Sequence, residues 1–416
     1  MIRSSNFKEN IAAMGKISLA LVLLIFCSLT TYGQEKKKPT AAYYFEKGEK
    51  SLEKKEFITA QAHFTECLRL DPYYAEAYHA RAIVRERLGE KAKALTDYNI
   101  YVDLKPADVE AIFSRAVLRF DGGQFLPARQ DFLQLLTMPT GETNTVYFSQ
   151  EKYSDGDAKI FTAQGSGKDY IYNYLGLIDI KLKRYDKAIV WLDSAIKLAP
   201  GNANYWINRG TARMDNVEKA AAATDFEQAL RLEPESSLAL HNLATLKSAA
   251  GENVSSEKLL SEAIEKNKNL PYPRAERAYQ RLQSNDLKGA LEDYDEVIRM
   301  EPKDEENYIN RGLVKEKMKD LPGALKDFST AIELDEKNEK AWLSRGNIMS
   351  KLSRPKEAIE DYGVAIALAS DYPLAYYNRG IAYQNTGMKK ESCADLMKAE
   401  KLGVKVDVKV KEKSCK

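Results

Sequence analysis

The side chains that most often carry catalytic chemistry are few in this sequence and are not spaced for it. The chain of 416 residues has three histidines, His63, His79 and His241, and none pairs with cysteine or acid at metal-ligand spacing. The segment GSGK at 165–168 lacks the upstream glycine of a phosphate loop, and Asp169 stands where that motif needs serine or threonine. We therefore predict no catalytic residue, no metal site and no cofactor, and a protein that is not an enzyme.

Arginine and aspartate recur together at a fixed distance and offer a different chemistry, that of ion pairs. Each arginine of one column precedes an aspartate of a second column by the same number of residues. The pairs are Arg81 and Asp97, Arg115 and Asp131, Arg209 and Asp225, Arg277 and Asp293, Arg311 and Asp327, Arg345 and Asp361, and Arg379 and Asp395.

The two columns also lose their charges together. Leu175 stands where the arginine would be and Trp191 where the aspartate would be, and Leu243 is matched by Leu259 in the same way. Positions that change together are expected to be in contact. We therefore predict that each arginine bridges its aspartate between two helices. Independent surface charges are the alternative interpretation.

These columns belong to a repeat of 34 residues. Ten units start at Ala41, Ala75, Val109, Asp169, Ala203, Ser237, Pro271, Glu305, Glu339 and Pro373. Most units have a large residue followed four places later by glycine or alanine, and then an alanine followed four places later by an aromatic. Small residues let two helices approach closely, so each unit is predicted to be a helical hairpin.

This pattern resembles the tetratricopeptide repeat (TPR) family over residues 41 to about 402, apart from one insertion. The resemblance implies an all-α solenoid, a right-handed superhelix of helical hairpins. The predicted parts, in chain order, are units 1 to 3 at 41–142, the insertion at 143–168, units 4 to 10 at 169–402 and a basic tail at 403–416. Units 6 and 7 match worst, because Ser256 replaces the alanine and Arg274 replaces the large aromatic, and we expect the array to bend there.

The resemblance also implies a binding surface, because the first helix of each TPR lines a concave groove. Asparagine recurs at one place on this helix, and in some family members such a column holds the main chain of an extended partner. An ordinary polar surface is the alternative. The preceding place lacks the lysine of a carboxylate clamp and is mostly apolar or aromatic. The predicted groove residues are Asn208, Asn242, Asn310, Asn378, His79, Phe113, Ile207, His241, Ile309 and Tyr377.

The insertion that follows Pro139 contains two short β-type runs, TVYF and KIFT. A segment with Asp155 and Gly156 separates them, which predicts a small β-hairpin. Insertions in solenoids cluster on one face and are often where partners bind. A surface excursion without a partner is the alternative.

The N-terminus predicts an exported protein. Arg3, Lys8 and Lys16 precede the apolar run ISLALVLLIFCSL, and small residues come just before Gln34. This is the order of a secretory signal peptide over residues 1–33, with an apolar core that is short for a membrane span. An uncleaved anchor is the alternative. Cleavage would leave a chain that begins near Gln34, has no membrane span and is periplasmic or secreted, or associated with the envelope.

Charge argues against nucleic acid as a partner. The formal net charge is +2, and removal of residues 1–33 brings it to zero. We predict a non-catalytic scaffold of the bacterial cell envelope that binds an extended peptide or a partner helix in the groove. The alternative is a saccharide-binding or enzyme-associated envelope module in which Tyr170, Tyr272 and Tyr377 stack on sugar rings. The sequence names no partner and leaves the oligomeric state open.

The cysteines predict one disulfide in an exported chain. Cys393 and Cys415 are free to join in an oxidising compartment, whereas Cys67 lies in a column of mostly alanine and is expected to be buried. The alternating run VKVDVKVK between the first two lacks the amphipathic helix that usually caps a solenoid, and a bridge would replace that cap. Two free thiols are the alternative.

Overall fold

The computed structural model describes residues 38–138, 145–149, 159–163 and 168–415. The chain divides into two compact units, residues 1–139 and 140–416. The signal peptide and the start at Gln34 that the sequence predicts lie outside the described residues. No helix within the described ranges combines the length and the apolar character that crossing a membrane requires.

The helices pair into hairpins that start where the repeat units start. In the first compact unit they are α1 (Ala41–Glu53), α2 (Phe57–Leu70), α3 (Ala75–Arg87), α4 (Lys91–Leu104), α5 (Val109–Asp121) and α6 (Phe125–Thr137). In the second they are α7 (Asp169–Lys181), α8 (Tyr185–Leu198), α9 (Ala203–Asp215), α10 (Lys219–Leu232), α11 (Ser237–Ala249), α12 (Asn253–Lys266), α13 (Pro271–Gln283), α14 (Leu287–Met300), α15 (Glu305–Lys317), α16 (Leu321–Leu334), α17 (Glu339–Lys351), α18 (Pro355–Leu368), α19 (Pro373–Asn385), α20 (Lys389–Lys401) and α21 (Val408–Cys415). We call the first helix of each repeat unit helix A and the second helix B.

Each helix packs against the next along the chain within its compact unit, so helix B of one hairpin contacts helix A of the following one. Helix A is therefore covered on two sides, by its own helix B and by the preceding one. The fully buried aromatics that fill the hairpins come from helix B and include Phe64, Tyr98, Phe132, Phe226, Tyr294, Phe328 and Tyr362. Within each compact unit the repeats form a series of packed helical hairpins, as the repeat predicts.

The glycine of helix A is required by the aromatic ring of helix B. A Cβ on Gly210 would lie 2.6 Å from Cε1 of Phe226, which is closer than two such carbons approach. Gly312 meets Phe328 in the same way, at 2.7 Å. The ring occupies the space that a side chain would need, which explains why glycine follows arginine in INRG at 207–210.

Every turn between helix A and helix B contains one residue in the left-handed backbone region. Four of these residues are glycines, but the others carry side chains, and one of them is the β-branched Val217 with φ 67°. The Val217 side chain is 76% exposed and gains little from packing. The backbone at Val217 is therefore strained, because a branched side chain there crowds the main chain.

Two short strands lie in the insertion, at the positions of TVYF and KIFT. Strand β1 (Thr145–Ser149) pairs with β2 (Lys159–Ala163) in antiparallel register, with Tyr147 opposite Phe161. Asp155 and Gly156, which the sequence places between the strands, lie outside the described residues.

The basic tail is not without structure, which corrects the sequence prediction of a missing helical cap. Residues Val408–Cys415 form the short helix α21. Asp407 begins it, because its carboxylate accepts from the Lys409 backbone N–H at 2.8 Å and its carbonyl accepts from that of Lys411 at 3.0 Å. The alternating pattern of VKVDVKVK concealed this helix, which is fixed by its first residue and by the hairpin against which it packs.

Candidate interaction surface

The structure brings together all seven predicted arginine–aspartate pairs. In each pair the guanidinium donates from Nε and Nη2 to the two carboxylate oxygens at 2.6–3.1 Å. All seven aspartates are buried, for example Asp225 and Asp327 at 1% exposure. A two-pronged bond to a buried carboxylate fixes the angle between the two helices as well as their distance.

A second cation from helix A reaches most of these carboxylates, and the sequence interpretation missed it. Arg213 Nη1 donates to Asp225 at 2.8 Å, and Lys315 lies 2.8 Å from Asp327. The same place is filled by Arg85, Arg119 and Arg281. A basic residue four places after the arginine was the available signal. Two cations on one carboxylate explain why the aspartate tolerates burial.

Several of the arginines also connect neighbouring hairpins. Arg209 Nη1 donates to Asp193 of the preceding helix B at 2.6 Å, and Arg311 donates to Asp295 at 2.8 Å. Arg277 donates to Ser261 at 2.9 Å. One side chain therefore holds three helices together: its own, its partner and the previous one.

An aromatic residue lies beside five of the seven arginines. The guanidinium carbon of Arg209 lies 4.8 Å from the ring centre of Trp206, and that of Arg345 lies 4.7 Å from Trp342. Tyr308 and Tyr376 take the same place beside Arg311 and Arg379. This cation–π contact shields the ion pair from water and gives the large aromatic column of the repeat a specific task.

Unit 4 has a related polar contact with different residues. Trp191, in the place of the aspartate, donates from Nε1 to Asp179 of helix A at 3.0 Å. Asp179 is fully buried and occupies the place of the second cation. In this unit the carboxylate is on helix A and not on helix B. The sequence interpretation paired Leu175 with Trp191 as apolar residues, but Trp191 makes one polar bond.

Three predicted groove residues are not on an accessible surface, and that prediction is wrong for them. Phe113, Ile207 and Ile309 are 1–4% exposed and belong to the packed interior. Ile207, for instance, contacts the cluster that contains Phe226. The reason is that helix A is covered from two sides, so this place faces helix B and not the groove. An apolar column here is part of the core.

His79, His241 and Tyr377 occupy the same place but are only half-buried. The His79 ring stacks on Tyr101 with ring centres 4.7 Å apart, and His241 meets the edge of Tyr272 at 4.8 Å. Within the described residues no group of histidines, cysteines and acids could hold a metal ion. The two histidines therefore act as aromatic contacts.

Three of the predicted asparagines form side-chain hydrogen bonds to helix A of the neighbouring unit. Asn208 Nδ2 donates to Asn173 Oδ1 at 2.8 Å, and Asn378 Nδ2 donates to Asn347 Oδ1 at 2.8 Å. Asn242 Nδ2 is 3.4 Å from the Thr211 hydroxyl. Amide and hydroxyl groups therefore form rows across the helix A surfaces of units 4 to 6 and of units 9 and 10. Asn310, in the same column, is half-buried, whereas Asn242 is buried at 9% exposure, so the prediction of an accessible groove residue is wrong for Asn242 as well.

The sulfurs of Cys393 and Cys415 lie 2.00 Å apart, within bonding distance, and Cys67 is buried with no partner among the cysteines that the structure describes. The pair joins α20 to the end of α21. Ser414 beside it is buried and contacts the Ser392 hydroxyl at 2.8 Å, and the Gln384 amide donates to the Val410 carbonyl at 2.9 Å. The short helix is thus held to the last hairpin by polar contacts as well as by the cysteines.

Comparison with known proteins agrees with this geometry. Residues 169–202 and 374–402 match family models described as "Tetratricopeptide repeat", and residues 354–387 match one described as "TPR repeat". The first of these stretches spans unit 4 from its start. With ten hairpins in one register, these matches make the chain a tetratricopeptide repeat protein.

The chain is similar in sequence to two curated proteins. It is 23% identical to Superkiller protein 3 of Schizosaccharomyces pombe over 201 residues, which are 48% of this chain and 13% of that protein. It is 25% identical to Protein FlbA of Caulobacter vibrioides over 212 residues, which are 49% of this chain and 35% of that protein. The chain thus spans well under two thirds of the length of either relative.

Solved structures with a related arrangement include a tetratricopeptide repeat protein from Parabacteroides merdae, at 16% identity and a TM-score of 0.45, which covers 60% of this chain and 100% of that one. YrrB, described as a TPR protein with an unusual peptide-binding site, has 18% identity and a TM-score of 0.40 and covers 44% of this chain and 95% of its own.

Proposed function

We propose that the protein is a non-catalytic scaffold that binds an extended peptide, or a partner helix, along the helix A surfaces of its repeats. A TPR array generally serves protein–protein interaction, and here helix A carries polar side chains in rows. The observation on which the proposal depends is the bond from Asn208 to Asn173. Each amide in such a bond is held in place and still has further donor and acceptor capacity for a peptide main chain.

The interaction is tested by removing the asparagines that form the rows. Asn208, Asn242, Asn310 and Asn378 are changed together to alanine in the full chain. A peptide selected from a random display library on the unmodified protein should then bind at least about tenfold more weakly, as expected for the loss of several hydrogen bonds. Fluorescence anisotropy of the labelled peptide measures the dissociation constant.

The control variant removes four exposed side chains from helix B surfaces, namely Lys197, Glu227, Glu292 and Lys326. It should bind the peptide as the unmodified protein does. Equal affinity of the asparagine variant and the control would contradict the proposal and leave the column as ordinary polar surface.

A saccharide-binding module remains the second proposal, because tyrosines occur on the same surfaces. Tyr170, Tyr272 and Tyr377 are half-buried, so a sugar could stack only on the part of each ring that remains open. A glycan array probed with the full chain decides between the two, since selective glycan binding without peptide selection would favour the saccharide.

We further propose that the protein is exported and works in the bacterial cell envelope or outside the cell. The charge and apolar pattern of residues 3–34 motivates this proposal. Mass spectrometry of the protein from its native host should give an N-terminus at Gln34. An intact N-terminus in a membrane fraction would favour an anchor instead.

A further inference from the structure

A cavity of about 360 Å³ opens on the helix A side of units 6 to 8. It lies wholly within the second compact unit. Its lining is rich in tyrosine and polar groups, and the residues are His241, Tyr272, Ala275, Glu276, Tyr279, Tyr294 and Asn310. The cavity therefore involves the two units whose sequences match the repeat least well.

The cavity exists because one residue is small. Ala275 stands at the helix A place that is filled by a larger side chain in every other unit, namely Phe45, His79, Phe113, Asn173, Ile207, His241, Ile309, Leu343 and Tyr377. Several of these larger residues are buried against the aromatic ring of helix B. In unit 7 the corresponding ring is Tyr294, and the alanine leaves the space beside it empty.

The Tyr294 hydroxyl, unlike its counterparts in other units, has no hydrogen-bond partner. Tyr294 is 1% exposed, and its hydroxyl is buried with no hydrogen-bond partner in the structure. The tyrosines at the same place in units 2 and 9 do have partners, since Tyr98 donates to Glu86 at 2.7 Å and Tyr362 donates to Asn347 at 2.9 Å. A buried hydroxyl without a partner is costly, so the exception in unit 7 calls for a polar group inside the cavity.

The charges around the cavity are negative or absent. Glu276 lines it, and Glu276 and Glu306 are among the groups that, after burial itself, raise the pKa of Tyr294. His241 Nδ1 is buried without a partner, and burial lowers the pKa of His241 to about 4. The imidazole is therefore neutral at pH 7 and offers a lone pair or a single N–H, not a positive charge.

Two arginines of the same helix, Arg277 and Arg281, are already engaged elsewhere, whereas Arg274 is half-buried and its Nε has no hydrogen-bond partner. Arg277 is held by Asp293 at 2.6 and 2.8 Å, and Arg281 donates to Glu257 at 2.9 Å and to Asp293 at 3.0 Å. The Glu276 carboxylate accepts one bond from the Gln280 amide at 3.1 Å, which does not neutralise its charge. A net negative charge beside three tyrosine rings is an environment that attracts a cation.

We propose that this cavity binds the cationic end of an arginine or lysine side chain of the partner peptide. Tyr272 and Tyr279 flank the cation, the buried Tyr294 forms the base of the cavity, and Glu276 pairs with the positive charge. The Tyr294 hydroxyl and the Asn310 amide oxygen accept its N–H groups. This inference rests on the proposed function, because it assigns the partner a basic residue that lies opposite units 6 to 8.

The test uses the side chain alone, so that it does not depend on a peptide. N-acetyl-arginine amide and N-acetyl-lysine amide are titrated into the full chain with ¹³C-labelled tyrosine rings, and the NMR signals of Tyr272, Tyr279 and Tyr294 are followed. Either cationic probe should shift these signals. The shifts should saturate at millimolar concentration, because a single side chain binds with a dissociation constant on the order of millimolar. N-acetyl-leucine amide and N-acetyl-glutamate amide should bind at least about tenfold more weakly.

Three variants locate the binding. Ala275→Leu fills the cavity with the residue that unit 9 has at this place, Leu343, and should abolish the shifts. Glu276→Gln and Tyr294→Phe should each weaken cation binding about tenfold without changing the packing, and they preserve the test if Ala275→Leu does not fold. Glu292→Gln, which removes an exposed acid on helix B, is the matched control and should bind normally.

Each result has a separate meaning. Absence of any shift with the cationic probes, equal binding of the leucine probe, or unchanged binding by the three variants would overturn the cation site. If the probes bind as expected but no peptide responds to removal of Asn208, Asn242 and Asn378, which lie outside the cavity lining, the site stands and the groove proposal fails. If a selected peptide binds but is indifferent to Ala275→Leu and to replacement of its own basic residues, the groove stands and the cation site fails.

Discussion

Arg345 donates two parallel hydrogen bonds to Asp361, from Nε to Oδ2 at 2.8 Å and from Nη2 to Oδ1 at 2.7 Å. The place that carries a second cation in five other units holds Met349 here. This pair therefore allows the energy of one bridge to be measured without a second cation on the carboxylate.

We expect Asp361→Ala to lower the free energy of unfolding by about 2 to 4 kcal/mol, because it leaves a half-buried guanidinium without its carboxylate. Replacing both Arg345 and Asp361 with leucine should recover most of that loss, since Leu243 and Leu259 fill these places in unit 6. The same double change at Arg311 and Asp327 should recover less, because Lys315 loses its partner. Urea unfolding of single and double variants measures the coupling, and additive losses would show that no bridge operates.

Val217→Gly should stabilise the protein by about 0.5 to 1 kcal/mol. The left-handed backbone conformation costs a branched residue about 1 to 2 kcal/mol, whereas glycine adopts it freely. The greater conformational entropy of glycine in the unfolded chain offsets only part of this gain. The control is Val190→Gly in α8, an exposed valine with helical backbone, which should destabilise by a few tenths to about 1 kcal/mol. A melting experiment in which both changes act in the same direction would refute the strain argument.

His241 should make the protein less stable as the pH falls from about 6.5 to about 4. Its folded-state pKa of about 4 lies below that of the unfolded chain, near 6.5, so the unfolded state takes up the proton first. The stability lost across this window is at most about 3 kcal/mol. His241→Leu should remove this part of the pH dependence, whereas His63→Gln serves as the control for loss of a histidine elsewhere. Identical pH profiles of all three proteins would contradict the assignment.

The cysteine pair should hold α21 on the last hairpin. In the cleaved, unreduced chain, titration after denaturation should find one thiol, that of Cys67; three thiols would disprove the bridge. Reduction, or Cys393→Ser, should speed hydrogen exchange of the α21 amides. The bridge closes a sequence separation of 22 residues, and a loop of this length is expected to add about 3 kcal/mol to the free energy of unfolding. Cys67→Ser is the control, and it should leave exchange in α21 unchanged.

The repeat made much of this structure predictable from one sequence. Ten copies act as controls for one another, so the joint loss of Arg and Asp in units 4 and 6 revealed a contact without any other protein. What failed was the assignment of faces: Ile207 and Phe113 look like groove residues because helix A is amphipathic, but that helix has two buried sides. A periodicity alone does not say which neighbour covers which side.

The cavity and the last helix could not be predicted from the sequence, for physical reasons. An alanine at 275 is unremarkable within a pattern that already contains many alanines. Its effect depends on how it packs against the ring of Tyr294, and the sequence does not show the space between them. The helix α21 is short, so its formation depends on the Asp407 cap and on contacts with α19 and α20 more than on its own periodicity.

The side-chain ties between consecutive hairpins give the array an uneven mechanical profile. Arg209, Arg277 and Arg311 each donate to helix B of the preceding hairpin, whereas within the described residues Leu243, Arg345 and Arg379 make no such bond. Tension applied across residues 169–402 should therefore concentrate at the boundaries that precede units 6, 9 and 10. Under load, the array should begin to yield at one of these three boundaries.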